Sequence, residues 1–106
     1  MATRSTIKIR AKEKSGLAQV RSLINHPMET GLRKDKTTGE LIPAHFIQEL
    51  VAELNGNVVM TANWGVGISK NPYLSFNVKG GKKGDQIRLT WKDNKGNTDS
   101  KTATVV

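Results

Sequence analysis

A chain of 106 residues, 36% apolar and 25% charged, has room for one core that hides about 60% of the unfolded surface, so a single domain over residues 1–106 is expected. It contains no cysteine, which excludes disulfides, thiolate metal sites, thiol catalysis and any sulfur carried covalently on a thiol of this chain. Seventeen Lys and Arg against nine Asp and Glu leave a net charge of +8, which raises the possibility of a polyanionic partner. The N-terminal "MATRSTIKIRAKEK" has no apolar stretch of signal-peptide length and no run approaches a membrane span, so export would have to depend on another chain.

Taken in order, the elements are strands. Ile7, Ile9 and Ala11 alternate with Lys8, Arg10 and Lys12, the pattern of a strand with one face buried. After Lys14-Ser15-Gly16 comes "LAQVRSLI" (17–24), a weaker copy, and then a polar stretch over 25–43. The segment "PAHFIQELVAELNG" (43–56) has two readings. Phe46, Leu50 and Leu54 are spaced as on a helix, with Pro43 at a first-turn position. As a strand over 44–54 it places Phe46, Gln48, Leu50, Ala52 and Leu54 on one face and turns at Asn55-Gly56 into 57–63 as a hairpin. The strand is preferred, because the neighbouring strands need sheet partners. Leu74, Phe76 and Val78, then Ile87, Leu89 and Trp91, alternate with polar residues, and "TDSKTATV" (98–105) closes the chain. Glycine-rich turns at 80–84 and 93–96 separate these last strands. Seven strands with short turns predict an all-β fold, an immunoglobulin-like two-sheet β-sandwich with a Greek-key path.

The connection 25–43 does not suit a mere turn, since such links are usually about 4–6 residues. Pro27, Gly31, Gly39 and Pro43 fix turns in it, and Met28, Leu32, Leu41 and Ile42 seek burial. It is expected to be an ordered loop that packs on the domain and presents a recognition surface. Met28, Leu32, Leu41 and Ile42 would anchor it, and Arg33, Lys34 and Lys36 would form a cationic rim.

Catalytic ingredients are sparse. His26 and His45 bracket the loop and are placed to meet at its base, with Glu29 and Asp35 as further ligands or orienting groups, but without a helical HxxxH spacing the metal signal is weak. No carboxylate pair or Ser/His/Asp set has a spacing that recommends catalysis. "KGGKKG" (79–84) lacks the P-loop pattern and reads as a turn. "NWGVGISKNPYLSF" (63–76) is a second unusual connection, suited to core packing or to an interface. Along the sequence the charge is spread, +5 over residues 1–43 and +3 over 44–106, and the five aromatic residues lie outside the densest basic run. A small basic nucleic-acid-binding β-domain therefore stands as the alternative function rather than the first.

The strings "HPMETGLRKD" (26–35), "IPAHFIQ" (42–48) and "SKNPYLSF" (69–76) resemble the SoxZ family, the Z subunits of the SoxYZ sulfur-oxidation carrier complex, and the resemblance extends over nearly the whole chain. It implies an immunoglobulin-like sandwich and a non-catalytic scaffold subunit. The implied partner is a Y subunit whose C-terminal cysteine arm carries thiosulfate-derived sulfur between periplasmic Sox enzymes. Export would then be together with the signal-bearing Y subunit. No catalytic residue, metal or cofactor is expected, and no nucleic-acid or membrane partner. The partner-binding residues are expected to be His26, Met28, Glu29, Leu32, Arg33, Lys34, Lys36, Leu41 and Ile42.

Overall fold

A computed structural model describes residues 6–106; the first five residues of the expected domain lie outside the described residues. Seven strands follow one another: β1 (Ile7–Lys14), β2 (Leu17–Ile24), β3 (Ile47–Leu54), β4 (Asn57–Asn63), β5 (Tyr73–Lys79), β6 (Gln86–Asp93) and β7 (Thr98–Thr104). All pairings are antiparallel. They form a three-stranded sheet ordered β1-β2-β5 and a four-stranded sheet ordered β4-β3-β6-β7. The chain changes sheet after β2, β4 and β5, which is the Greek-key path of an immunoglobulin-like sandwich. In the constant-type arrangement the fourth strand extends the first sheet; here β4 stays beside β3.

Turn chemistry fixes the hairpins. Ser15 and Gly16 have φ of 53° and 80°, and Asn55 and Gly56 have φ of 50° and 87°. Two successive positive φ values define the turn whose twist matches its flanking strands. The Asn-Gly pair thereby overrides the helical spacing of 43–54: β3 is a strand, its edge taken by β4 on one side and β6 on the other.

Its inward face differs from the expected one. The register shifts between Ile47 and Glu49, so Ile47, Leu50 and Ala52 are buried while Gln48 is exposed. One irregular step lets the strand keep an amide out of the core without giving up Ile47.

Between the sheets, Ile7, Ile24, Met28, Ile47, Leu50, Leu89 and Trp91 form the larger part of the core. A smaller cluster of Ala11, Ala18, Val20, Val78, Ile87 and Val105 fills the other end. Gly81 is required there, because a Cβ at that position would strike the methyl group of Ala18. Along one side the C-terminus closes the sandwich, with the Val106 N–H donating to Ala11 and the Val106 carbonyl accepting from the Glu13 N–H. The indole N–H of Trp91 donates to Thr6 Oγ1 at 3.0 Å, and Thr6 in turn donates to Asp99 from both its backbone and its hydroxyl.

Candidate functional site

The connection between β2 and β3 runs over 25–46 and forms a finger. Two isolated bridges, Glu29 with His45 and Lys34 with Leu41, hold its limbs antiparallel. Backbone bonds between Glu29 and His45 in both directions, and from Ile42 N–H to the Arg33 carbonyl, form its rungs. At the tip Asp35 Oδ1 accepts from the Thr37 and Thr38 N–H groups, and Asp35 N–H donates to the Glu40 carbonyl. The ordered loop foreseen from the spacing of Pro, Gly and apolar residues is therefore a short hairpin-like projection.

Three side chains fix its base. His26 Nε2 lies 3.1 Å and His45 Nε2 2.7 Å from the same oxygen, Oδ2 of Asp93, the last residue of β6. The two imidazoles meet edge to face at 4.6 Å, and His26 packs edge-on to Trp91 at 5.1 Å. Asp93 also accepts from the Lys95 and Asn97 N–H groups and from the Asn97 side chain. Burial alone would raise its pKa, but the bonds from His26, Asn97 and His45 outweigh that and hold it well below the usual carboxylate range.

The tautomer of His26 follows from its neighbours. Its Nδ1 accepts from the Met28 N–H at 3.1 Å, so the ring proton is on Nε2, facing Asp93. Charging the ring would put a second proton against a backbone donor. Desolvation by burial is the chief cause, and it pushes His26 below its ordinary value despite the carboxylate beside it. The same geometry bears on metal binding. The ligand atoms of His26, His45 and Asp93 lie within 4.8 Å of one another, yet His26 can offer Nε2 to an ion only by moving its proton to Nδ1, against the Met28 N–H. The residues fit a hydrogen-bonded staple better than a cation site.

Comparison with known families decides the identity. Residues 7–104 match the model of the family described as sulphur oxidation protein SoxZ. The chain belongs to the SoxZ family. No curated protein matches it. Membership gives this SoxZ chain a role in sulfur oxidation as a component of the Sox system, and the matched segment includes every residue of the finger and of its base.

The expected site residues divide by depth. His26 and Met28 are buried and hold the finger onto the core; the Met28 thioether accepts from the Ile47 N–H. Both position the finger, and neither offers surface to a partner. Glu29 takes a bidentate pair from Arg33, which lowers its pKa. Glu29 stands beside His45 through the backbone bridge but gives its carboxylate to Arg33, Asp35 shapes the tip, and the carboxylate that both histidines share is Asp93. Ile42 is half-buried, Arg33, Lys34 and Lys36 are exposed, and Leu32 and Leu41 are 81% and 58% exposed. In the sequence Asp93 shows only as the first residue of a turn. Its separation from the histidines, 67 and 48 residues, left nothing in the sequence to connect them.

Proposed function

We propose that this SoxZ chain is the non-catalytic scaffold half of a periplasmic heterodimer, in which a Y subunit carries sulfur covalently on a C-terminal cysteine. The observation that carries the reading is family membership over residues 7–104. The finger supports it. Two leucines on a projection tied down by a largely buried His-Asp-His staple form an apolar anchor on a rigid support, the arrangement a stable interface uses. The finger is the recognition surface for the Y subunit: Leu32 and Leu41 are its contact, and Arg33, Lys34 and Lys36 are its cationic rim. The chain has no thiol on which to hold sulfur, so the covalent chemistry belongs to the partner, and the enzymes that load and unload it act on the heterodimer. Export occurs with the Y subunit.

The experiment is affinity purification of the tagged chain from cells oxidising thiosulfate, followed by intact-mass measurement. The expected result is a one-to-one partner ending in a cysteine arm and bearing sulfur adducts, with the mass of this chain unchanged. Recovery of the chain alone, or an adduct on it, overturns the reading. Recovery of nucleic acid in place of a protein partner would favour the basic nucleic-acid-binding alternative.

A further inference from the structure

The net charge that is spread along the sequence is gathered in space. Strand β1 turns Lys8, Arg10, Lys12 and Lys14 to solvent, β2 adds Arg21, and β5 adds Lys79, all exposed. The pairings set these residues in rows across one flat face: Lys8, Leu23 and Tyr73; Arg10, Arg21 and Ser75; Lys12, Gln19 and Asn77; Lys14, Leu17 and Lys79. No acid is on that face. Glu13, the one acid of the three strands, has the opposite phase and accepts from the Gly16 N–H. Arg10 and Arg21 stand directly opposite each other, a pairing that lowers stability. The outer face of the other sheet is built differently, with Glu49 opposite Lys92 and Glu53 opposite Arg88.

An apolar spot completes the basic face. Leu23 and Tyr73 are cross-strand partners, 40% and 63% exposed, and line one shallow hollow together with Lys8, Arg10, Arg21 and Lys101. A tyrosine and a leucine in a hollow shared with Lys and Arg have the composition of a protein contact, with an aromatic anchor beside charged groups. Nucleic acid would use a row of stacking rings, and this face has one. From Lys8 to Lys14 the face extends about 20 Å, across three strands about 4.8 Å apart, so it is smaller than the roughly 800 Å² per partner of a stable complex. Its size and charge suit a short-lived encounter whose rate is raised by long-range attraction.

We propose that the outward face of β1-β2-β5 is a transient docking surface for an acidic protein surface that places an apolar side chain on Leu23 and Tyr73. It rests on the carrier-subunit reading only for the kind of protein that docks, an enzyme visited in turn by the carrier. The finger and this face then divide the work, the one holding the permanent partner and the other meeting the transient ones.

The test maps amide chemical shifts of the labelled chain with three probes: a Glu-rich peptide with a central leucine, the same peptide with serine in place of that leucine, and a DNA duplex of equal charge. The expected shifts fall within 8–14, 19–23 and 73–79, and weaken as salt is raised. The leucine peptide binds at least about threefold tighter than the serine peptide, and the duplex no tighter than the leucine peptide. Arg10→Glu with Arg21→Glu weakens the leucine peptide at least about tenfold; Arg10→Gln with Arg21→Gln is the second pair should the reversal disturb the fold. Shifts scattered over Lys34, Lys36, Lys82 and Lys83, parent-like binding by the folded variants, or a duplex that binds about tenfold tighter than the peptide, each overturns the proposal. Because the peptide measurement uses the chain itself, its failure is separable from failure to recover a cysteine-bearing partner.

Discussion

The base and the tip of the finger contain the same kinds of residue and use them in opposite ways. At the base a methionine and one histidine are buried, and a second histidine is half-buried, against Ile47, Trp91 and Asp93. At the tip two leucines and three cations face solvent. A projection left to itself would collapse its leucines onto the nearest apolar surface. Here the bridges at Glu29/His45 and Lys34/Leu41 and the Asp35 turn hold the limbs extended. The difference teaches that ordering a recognition loop and furnishing its contact are separate tasks, assigned to separate residues. Stability should therefore respond to substitutions at the base and binding to substitutions at the tip.

The largest effect is expected at Asp93. Asp93→Ala removes an acceptor used by two imidazoles, two backbone N–H groups and the Asn97 amide, leaving buried donors unpaired. A loss of about 3–5 kcal/mol is expected, which lowers the melting temperature by more than about 10 °C in a domain of this size. Met28→Ala should follow with about 2–4 kcal/mol, because it opens a cavity beside Ile24 and Ile47 and removes the acceptor of the Ile47 N–H. Thermal melting of either variant at parent-like temperatures would erase the distinction between base and tip.

Mild acid, between about pH 6.5 and 5, should act on the base through His26, before the depressed carboxylates Glu29, Asp85 and Asp99 are reached. His26 is held below its ordinary value, so the unfolded chain takes up a proton near pH about 6.5 that the folded chain refuses. That contribution to stability is complete above about pH 6.5 and declines as the pH falls toward the folded value. Asp93 is depressed as well; its contribution is present above about pH 3.9 and is lost as the pH falls through the folded value. Unfolding free energy should fall by up to about 1.4 kcal/mol per pH unit for the proton taken up at His26. His26→Gln, which retains a donor and an acceptor but cannot titrate, should flatten the decline between pH about 6.5 and 5. A slope unchanged by His26→Gln assigns the proton to another group.

Much of this fold was legible in the sequence because alternation and turn chemistry are local. Ile7 to Ala11 and Ile87 to Trp91 show their buried phase directly, and the need of the neighbouring strands for sheet partners decided 43–54, whose spacing also allowed a helix. The proximity of His26 and His45 was legible too, since a closed loop brings its ends together. Asp93 was hidden because an Asp before Asn94-Lys95-Gly96 already has a sufficient reason to exist as a turn residue. The basic face was hidden for another reason. Counting charge along the chain averages over the pleat, whereas Lys8, Arg10, Lys12 and Lys14 share one phase of β1 and meet Arg21 and Lys79 only through the pairings of β2. Burial within the finger was partly legible: four apolar anchors could be named, but that Met28 alone joins the core cluster, with Ile42 half-buried and Leu32 and Leu41 exposed, depends on the bridges.

The smallest effect on stability, and the sharpest test of the comparison, is expected at the tip. Leu32→Ser and Leu41→Ser remove side chains that are mostly in water, so each should change unfolding free energy by no more than about 0.5 kcal/mol. Affinity for the Y subunit should nonetheless fall by about tenfold or more for each, since an apolar side chain buried at the centre of a contact contributes about 1.5–3 kcal/mol. Arg33→Glu separates charge from packing. It breaks the exposed pair with Glu29, which is worth little to the fold, and reverses a rim charge, so the association rate should drop while the dissociation rate stays near that of the parent. Stopped-flow association and surface-binding dissociation, run on variants whose melting matches the parent, measure both. If the two leucine variants bind the Y subunit as the parent does, the finger covers an open end of the sandwich and is no interface, and the division between base and tip is one of solvent exposure alone.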